Sequence, residues 1–214
     1  MTPGVSASLP EQRAIHACAF FDTPAEQLRL MSRHLADRLA TGRVALGLVE
    51  ERRTGQLTEA LEDHGVDVAA QAASGALRLR SARSAYMPWG TFDPGETIKM
   101  VAEAERDALL AGYRGLCAAG DMSWALDGGP GTERLIEYEY AIQRTIHQRL
   151  NVVGLCQYDT TRFDAERLRV IRGRAPDSGR HDPRRAEHLA HRRDRRPCAQ
   201  ARSATLSASA ASPS

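Results

Sequence analysis

The feature of this sequence that most restricts its fold is an alternation of strand-like and helix-like segments along residues 14–170. Continuous apolar runs occur at Val44–Val49 and Val152–Cys156, and such runs are typical of strands that are buried on both faces. Segments with helical spacing of apolar residues lie between the strand-like ones. This alternation predicts right-handed βαβ units, and therefore a three-layer α/β/α domain with a mainly parallel sheet.

The pattern predicts at least five strands. They are 14–21, 44–49, 76–80, 115–119 and 152–156. Period-two alternation in the third of these segments indicates an exposed or edge strand. Thr23-Pro24 and Asp93-Pro94 each place a capping residue before a proline, which favours a helix start at both positions. Helices are predicted over 24–41, 54–64, 93–111 and 132–150, with a last one beginning near 163 or 164.

The composition changes near residue 171. Residues 171–214 hold ten arginines, four acidic residues and no aromatic residue, and they lack hydrophobic periodicity. Such a segment cannot bury enough apolar surface to offset the entropy of ordering it. We therefore predict a folded domain over 12–170 and a disordered basic tail over 171–214. The positive charge of the tail favours only weak, salt-sensitive contact with nucleic acid.

The expected location is the cytoplasm, without membrane association. The apolar runs are much shorter than the roughly 20 residues of a spanning helix, and the N-terminal residues lack the basic and apolar regions of a secretion signal. The cysteines lie far apart, as is typical of reduced thiols in a cytosolic protein. They are Cys18, Cys117, Cys156 and Cys198.

Acidic residues stand at the ends of four predicted strands, where ligands bind in open parallel sheets. They are Asp22, Glu50, Asp121 and Asp159. Each alone is typical of a helix cap or a solvated loop, but together they form a candidate site for a cation or for amine or hydroxyl groups. Aromatic residues near the same edge suit an apolar pocket, or equally a loop that packs over the core. The candidate ligand-binding residues are Phe21, Glu50, Trp89, Asp121, Trp124, Glu139, Tyr158 and Asp159, with the 86–92 loop as a predicted lid.

Glu139 occupies an unexpected position in the helix predicted over 132–150. It falls in one stripe with Leu135, Ile142 and Ile146, where an apolar residue is expected. A buried carboxyl group there needs a partner or a raised pKa, and such groups are enriched at functional sites. Alternatively, the helix is rotated slightly, so that Glu139 lies at the rim and Tyr138 points inward.

His16, Cys18 and Phe20 alternate and therefore share one face of the first strand. His16 and Cys18, together with Cys156 or Cys117, offer soft ligands of the kind that bind metals. The favoured interpretation is a hydrogen-bonded histidine among small apolar cysteines in a core. No metal or other cofactor is predicted.

The usual phosphate-binding motifs are missing from the sequence. Neither GxxxxGK[ST] nor GxGxxG follows the first strand, where the turn is Asp22-Thr-Pro-Ala. Without that loop and its lysine, nucleotide hydrolysis lacks its usual apparatus, and no matched acid, base and nucleophile emerge. A protein that is not an enzyme is therefore expected. The alternative is a nucleotide- or metal-binding protein, or an enzyme, that uses the acidic strand ends.

Five segments together resemble the MEDS family of sensory domains, in the family's order, and the resemblance covers about residues 13–168. They are HACAFF (16–21), FDP (92–94), GDMSWAL (120–126), LIEYEY (135–140) and CQYD (156–159). The resemblance implies a RecA/KaiC-like α/β fold that has lost its phosphate-binding loop. It also implies a sensory domain that binds a small, largely apolar ligand and regulates a partner protein in transcription, anti-sigma or histidine-kinase signalling. Association as a homodimer stays open.

Overall fold

The computed structural model describes residues 15–173, which form an α/β fold around a five-stranded sheet. The strands are β1 (Ile15–Phe21), β2 (Val44–Val49), β3 (Leu77–Ser81), β4 (Leu116–Asp121) and β5 (Val152–Asp159). Their order is β1-β5-β4-β2-β3, and every neighbouring pair is parallel. The predicted fold class is confirmed, and β3 lies at an edge as its alternating pattern predicted.

Seven α-helices connect and cover these strands within residues 15–173. They are α1 (Pro24–Leu39), α2 (Thr54–Asp63), α3 (Val68–Ala73), α4 (Ala82–Tyr86), α5 (Pro94–Leu110), α6 (Leu135–Arg149) and α7 (Ala165–Arg172). Short 3-10 helices occupy 51–53, 123–126 and 132–134. Both helix starts that were predicted at prolines are found. The side chains of Thr23 and Asp93 accept hydrogen bonds from the backbone N–H groups of Glu26 and Glu96, three residues later.

The sheet is covered on both faces, which gives the three layers that the sequence predicted. Along β2, Leu46 and Leu48 belong to the core beneath α5, α6 and α7, whereas Ala45 and Val49 belong to the core beneath α1 and α2. Successive side chains of a strand point to opposite faces. All six residues of β2 are therefore buried, which explains its unbroken apolar sequence.

The structure differs from the sequence prediction mainly in short elements. The helices α3 and α4 have six and five residues, too few for a recognisable period, and they begin at the capping side chains of Asp67 and Ser81. Strand β5 continues beyond the predicted end to Asp159, because residues 157–159 pair with 19–21 of β1.

The tail predicted over 171–214 lies outside the described residues, apart from 171–173, where α7 ends. Within residues 15–173, no helix has both the length and the apolar character needed to cross a membrane.

Candidate functional site

A cavity of about 360 Å³ lies at the carboxyl ends of β2, β3, β4 and β5, and we call it the edge cavity. Its charged lining consists of five acidic residues and four arginines. They are Glu50, Glu51, Asp121, Asp127 and Asp159, with Arg52, Arg53, Arg83 and Arg162. Trp124, Ala82 and two serines complete the lining. The cavity is therefore predominantly polar.

Four of the predicted ligand-binding residues meet at the edge cavity: Glu50, Asp121, Trp124 and Asp159. Asp121 is only 2% exposed, and its Oδ1 accepts a hydrogen bond of 2.9 Å from the backbone N–H of Ser123. Asp159 accepts hydrogen bonds from the backbone and the hydroxyl of Thr161. Both carboxylates thus also fix the turns that follow their strands.

Glu50 forms ion pairs with two arginines of the following 3-10 helix. The Nε atoms of Arg52 and Arg53 lie 2.7 Å and 3.4 Å from the Glu50 carboxylate oxygens, and Glu50 raises the pKa of the Arg52 guanidinium. Arg52 is exposed, whereas Arg53 is largely buried. Solvent screens an exposed ion pair of this kind, so a ligand carrying charge can replace one partner at small cost.

A second group of charges also lines the edge cavity. Asp127 lies 3.5 Å from Arg83 and 3.8 Å from Arg162. None of the four arginines of the cavity was predicted from the sequence. The available signal is positional, because each arginine stands within four residues after the end of a strand.

The remaining predicted site residues do not line the edge cavity. Phe21 and Tyr158 are buried, with 2% and 0% of their surface exposed, because their side chains point into the interior rather than over the sheet edge. Trp89 is 90% exposed and lines a neighbouring cavity of about 310 Å³ instead. Glu139 lies in a separate buried cluster.

The two ends of the 86–92 segment pack into the core, whereas residues 88–91 are exposed. Tyr86, Met87 and Phe92 are all buried. Trp124 is 4% exposed and stacks on Tyr86 at a centroid distance of 4.9 Å and an interplanar angle of 17°. The Phe92 ring lies 4.6 Å from it. Only one edge of Trp124 is thus available to the edge cavity.

The buried cluster is formed by His16, Cys18, Glu139, Cys156 and Tyr158. Strands β1 and β5 pair so that Cys18 lies opposite Cys156, and α6 places Glu139 above both strands. The Tyr158 hydroxyl donates to Glu139 Oε1 at 2.5 Å. The Cys18 thiol donates to Glu139 Oε2 at 3.2 Å, while His16 Nε2 lies 3.3 Å from Cys156 Sγ and 3.6 Å from Glu139 Oε2.

Glu139 therefore has the partners that a buried carboxyl group needs. It is 6% exposed and its neighbour Tyr138 is 3% exposed, so both point inward and the rim alternative is wrong. Burial lowers the pKa of His16 and raises the pKa values of the Cys18 and Cys156 thiols. Cys117 takes no part, because it belongs to the core on the other face of the sheet.

A family model described as "MEDS: MEthanogen/methylotroph, DcmR Sensory domain" matches residues 15–173. The chain belongs to the MEDS family. The matched residues contain every strand of the sheet, the edge cavity and the buried cluster. The resemblance seen in the sequence is thereby confirmed.

One relative with a described function is similar to this MEDS domain. It is the transcriptional repressor DcmR of Methylorubrum extorquens, which is 24% identical over 151 residues. The alignment covers 71% of this chain and 54% of the repressor. The chain thus spans about half the length of this curated relative, and the match supports a sensory or regulatory role.

Solved structures resemble this MEDS domain in fold. An uncharacterized protein from Pyrococcus horikoshii, PH0321, crystallised with an unknown peptide, has a TM-score of 0.53 and 14% identity, covering 74% of each chain. The KaiC-like protein PH0186 from the same organism has a TM-score of 0.51 and 7% identity, covering 74% of this chain and 68% of its own. The similarity to PH0186 confirms the KaiC-like fold expected from the sequence.

The junction of β1 and α1 in this MEDS domain lies where P-loop proteins hold phosphate groups. Here Thr23 Oγ1 caps the Glu26 N–H, and the Glu26 carboxylate accepts a hydrogen bond of 3.2 Å from the Asp22 N–H. Asp22 in turn accepts from the Thr160 hydroxyl. Two carboxylates and their hydrogen bonds therefore occupy the end of the helix that would otherwise attract a phosphate.

A pair of buried glutamines lies next to Arg53, which lines the edge cavity. Gln27 and Gln157 are fully buried. The Arg53 guanidinium donates to Gln27 Oε1, and Gln157 Nε2 donates to the Gln27 carbonyl at 3.2 Å. Gln27 Nε2 and Gln157 Oε1 have no hydrogen-bond partner within residues 15–173. A buried polar group without a partner costs about 1–3 kcal/mol.

Proposed function

We propose that this MEDS domain is a non-catalytic sensor that binds a small polar molecule in the edge cavity and regulates a partner protein by contact. The family description and the repressor relative support the regulatory part of this proposal. The observation that carries the binding part is the convergence of Glu50, Asp121 and Asp159 on one cavity of about 360 Å³.

The lining favours a ligand with amine, guanidine, carboxylate or hydroxyl groups. Charged groups that lose their water need a compensating partner, and nine of the lining residues are acidic residues or arginines. A largely apolar ligand was expected from the family resemblance and from the aromatic residues near this edge. That expectation has little support at this cavity, because Trp124 is mostly covered by other rings and both Phe21 and Tyr158 lie beneath the surface.

Two features support a role without catalysis. The lining of the edge cavity contains no histidine, cysteine or lysine within the described part of the chain, so its two serine hydroxyls have no neighbouring base of those types. The end of α1 that would hold a nucleotide phosphate instead presents Asp22 and Glu26. A sensor that recognises its ligand by fixed charges and then changes its protein contacts needs neither a catalytic base nor a phosphate-binding helix end.

The proposal is tested by a thermal-shift screen on the full chain. The screen contains small amines, amino acids, carboxylic acids and polyols, with halogenated and aromatic compounds as the opposing set. Asp121→Asn is the informative variant, because asparagine retains an oxygen that can accept the hydrogen bond from Ser123. Asp63→Asn, an exposed position on α2, is the matched control. A compound at 100 times its Kd stabilises by about 2.7 kcal/mol, which is readily measured.

The expected result is a compound whose shift is retained in Asp63→Asn and lost or strongly reduced in Asp121→Asn. A set of shifts produced only by halogenated or aromatic compounds would refute the polar ligand. Shifts that survive in Asp121→Asn would refute the edge cavity as the site. Incubation with ATP and Mg²⁺ forms a separate arm, and turnover that depends on Asp121 would refute the non-catalytic role.

A further inference from the structure

The buried cluster contains three donor atoms of different chemistry that face one another. The three donor atoms lie within 4.8 Å of one another. They are a ring nitrogen of His16, a carboxylate oxygen of Glu139 and the sulfur of Cys156. All three residues are buried. A second sulfur, Cys18 Sγ, lies 3.2 Å from Glu139 Oε2. None of these residues takes part in the proposed edge cavity.

Two of the three distances between these donors are close to those around one tetrahedral ion, and the third pair lies within 4.8 Å. With bond lengths of about 2.0–2.1 Å to nitrogen and oxygen and about 2.3 Å to sulfur, donors around zinc are roughly 3.4–3.6 Å apart. The observed separations are 3.3 Å from His16 Nε2 to Cys156 Sγ and 3.6 Å from His16 Nε2 to Glu139 Oε2. Small shifts of these side chains would therefore place all three donors on an ion.

The backbone provides this arrangement through strand register rather than through a sequence motif. His16 lies opposite Gly154 in the pairing of β1 with β5, and Cys18 lies opposite Cys156. A Cβ at position 154 would be 3.4 Å from His16 Cδ2 and 3.1 Å from Ile146. The glycine thus leaves room for the imidazole beside Cys156.

The charge of the cluster also favours a bound cation. His16 is a basic side chain at ion-pair distance from Glu139, with 3.6 Å between Nε2 and Oε2. A buried carboxylate without a compensating cation is costly. A divalent ion supplies that compensation, and it also favours the thiolate form of a coordinating cysteine.

We propose that His16, Glu139 and Cys156 form a binding site for a zinc-class divalent cation inside the domain, with Cys18 as an adjacent sulfur donor. A mixed set of imidazole, carboxylate and thiolate ligands suits Zn²⁺, which prefers tetrahedral nitrogen, oxygen and sulfur coordination. Binding forms the metal–sulfur bond and releases the thiol proton to solvent. The neutral hydrogen-bonded core that the sequence analysis favoured is the opposing outcome of the test.

The test is a titration of metal-free full-length protein with Co²⁺, read by absorption spectroscopy. Tetrahedral cobalt with a thiolate ligand gives a sulfur-to-cobalt charge-transfer band in the near ultraviolet and intense visible bands. Zn²⁺ added afterwards should remove both by displacement. Cys156→Ala and Cys117→Ala are matched variants, since both remove a buried thiol but only the first lies in the cluster.

The expected result is one cobalt ion per chain, with the charge-transfer band lost in Cys156→Ala and retained in Cys117→Ala. His16→Gln should weaken cobalt binding by at least about 100-fold, because loss of a ligand exceeds the 10–100-fold effect of an outer partner. Cys198 lies outside the described residues, so all of these variants are compared in a Cys198→Ala background, in which a sulfur band must come from another cysteine. If Cys156→Ala fails to fold by circular dichroism, Glu139→Gln and His16→Gln decide.

Three outcomes would overturn the proposal: no charge-transfer band in the wild-type protein, a band that persists in Cys156→Ala, or tight cobalt binding that survives both His16→Gln and Glu139→Gln. Failure of the ligand screen at the edge cavity leaves this test unaffected, because the readout is a spectrum of the cluster itself.

Discussion

Replacement of Trp124 separates the packing of the aromatic core from ligand recognition at the edge cavity. The indole is 4% exposed and contacts the rings of Tyr86 and Phe92, and its Nε1–H has no hydrogen-bond partner within residues 15–173. Trp124→Ala removes about 200 Å² of buried apolar surface, worth about 5 kcal/mol at 25 cal/mol per Å². Removing the unpartnered N–H also removes its desolvation penalty, which offsets about 2 kcal/mol of the lost stability.

The net expectation for Trp124→Ala is a loss of about 3 kcal/mol in the free energy of unfolding, at the lower end of the range for such truncations. For a domain of about 150 residues this lowers the Tm by roughly 6–12 °C. Trp124→Phe retains a ring against Tyr86 and Phe92 while it removes the N–H. We therefore expect it to cost less than about 1 kcal/mol.

Urea unfolding followed by far-ultraviolet circular dichroism measures both variants. Fluorescence is less suitable, because Trp89 is 90% exposed and reports little on unfolding. Equal losses in Trp124→Phe and Trp124→Ala would refute the argument from the unpartnered N–H. A loss below about 1 kcal/mol in Trp124→Ala would show instead that the indole is not part of the core.

Three further perturbations follow from the packing and charge of single residues. Gly120→Ala should cost about 1–3 kcal/mol in urea unfolding, because a Cβ there would overlap the Tyr86 hydroxyl. Burial and the nearby Arg38 lower the pKa of the half-buried His34 to about 4. The stability linked to His34 is complete above about pH 6.5 and is lost as the pH falls through 4, by about 1–2 kcal/mol after allowance for partial exposure. Unfolding midpoints across that pH range in wild type and His34→Gln should differ in slope, and equal slopes would contradict the assignment. Trp89→Ser should change the free energy of unfolding by less than about 0.5 kcal/mol, and a larger loss would mean that the exposed ring packs on a neighbour.

The fold could be predicted from the sequence because its strongest signals are local. The run Val44–Val49 is buried on both faces, and the Thr23 and Asp93 caps begin α1 and α5 at the predicted prolines. The order of the strands in the sheet was not predictable, because it depends on contacts between residues more than a hundred positions apart, such as Cys18 and Cys156.

The edge cavity was predictable only in part. The rule that parallel strands end at one edge brought Glu50, Asp121 and Asp159 together, since that rule depends only on strand direction. It could not assign Tyr158 or Phe21 to the interior, because orientation at a strand end depends on how far the pairing continues. Strand β5 pairs as far as Asp159, and Tyr158 is therefore held inside the sheet.

Glu139 shows what a single unexpected residue can and cannot reveal. Its place in an apolar stripe indicated a buried carboxyl group, which the structure confirms. The stripe does not predict the partners of the Glu139 carboxyl group, because they come from two strands brought together by non-local pairing. These partners are Tyr158, Cys18 and His16. The same pairing that supplies two donors to the carboxyl group also places the imidazole beside the Cys156 thiol. Hydrogen bonding alone and a bound ion both account for the convergence of imidazole, carboxyl and thiol on one point, and the cobalt titration distinguishes them.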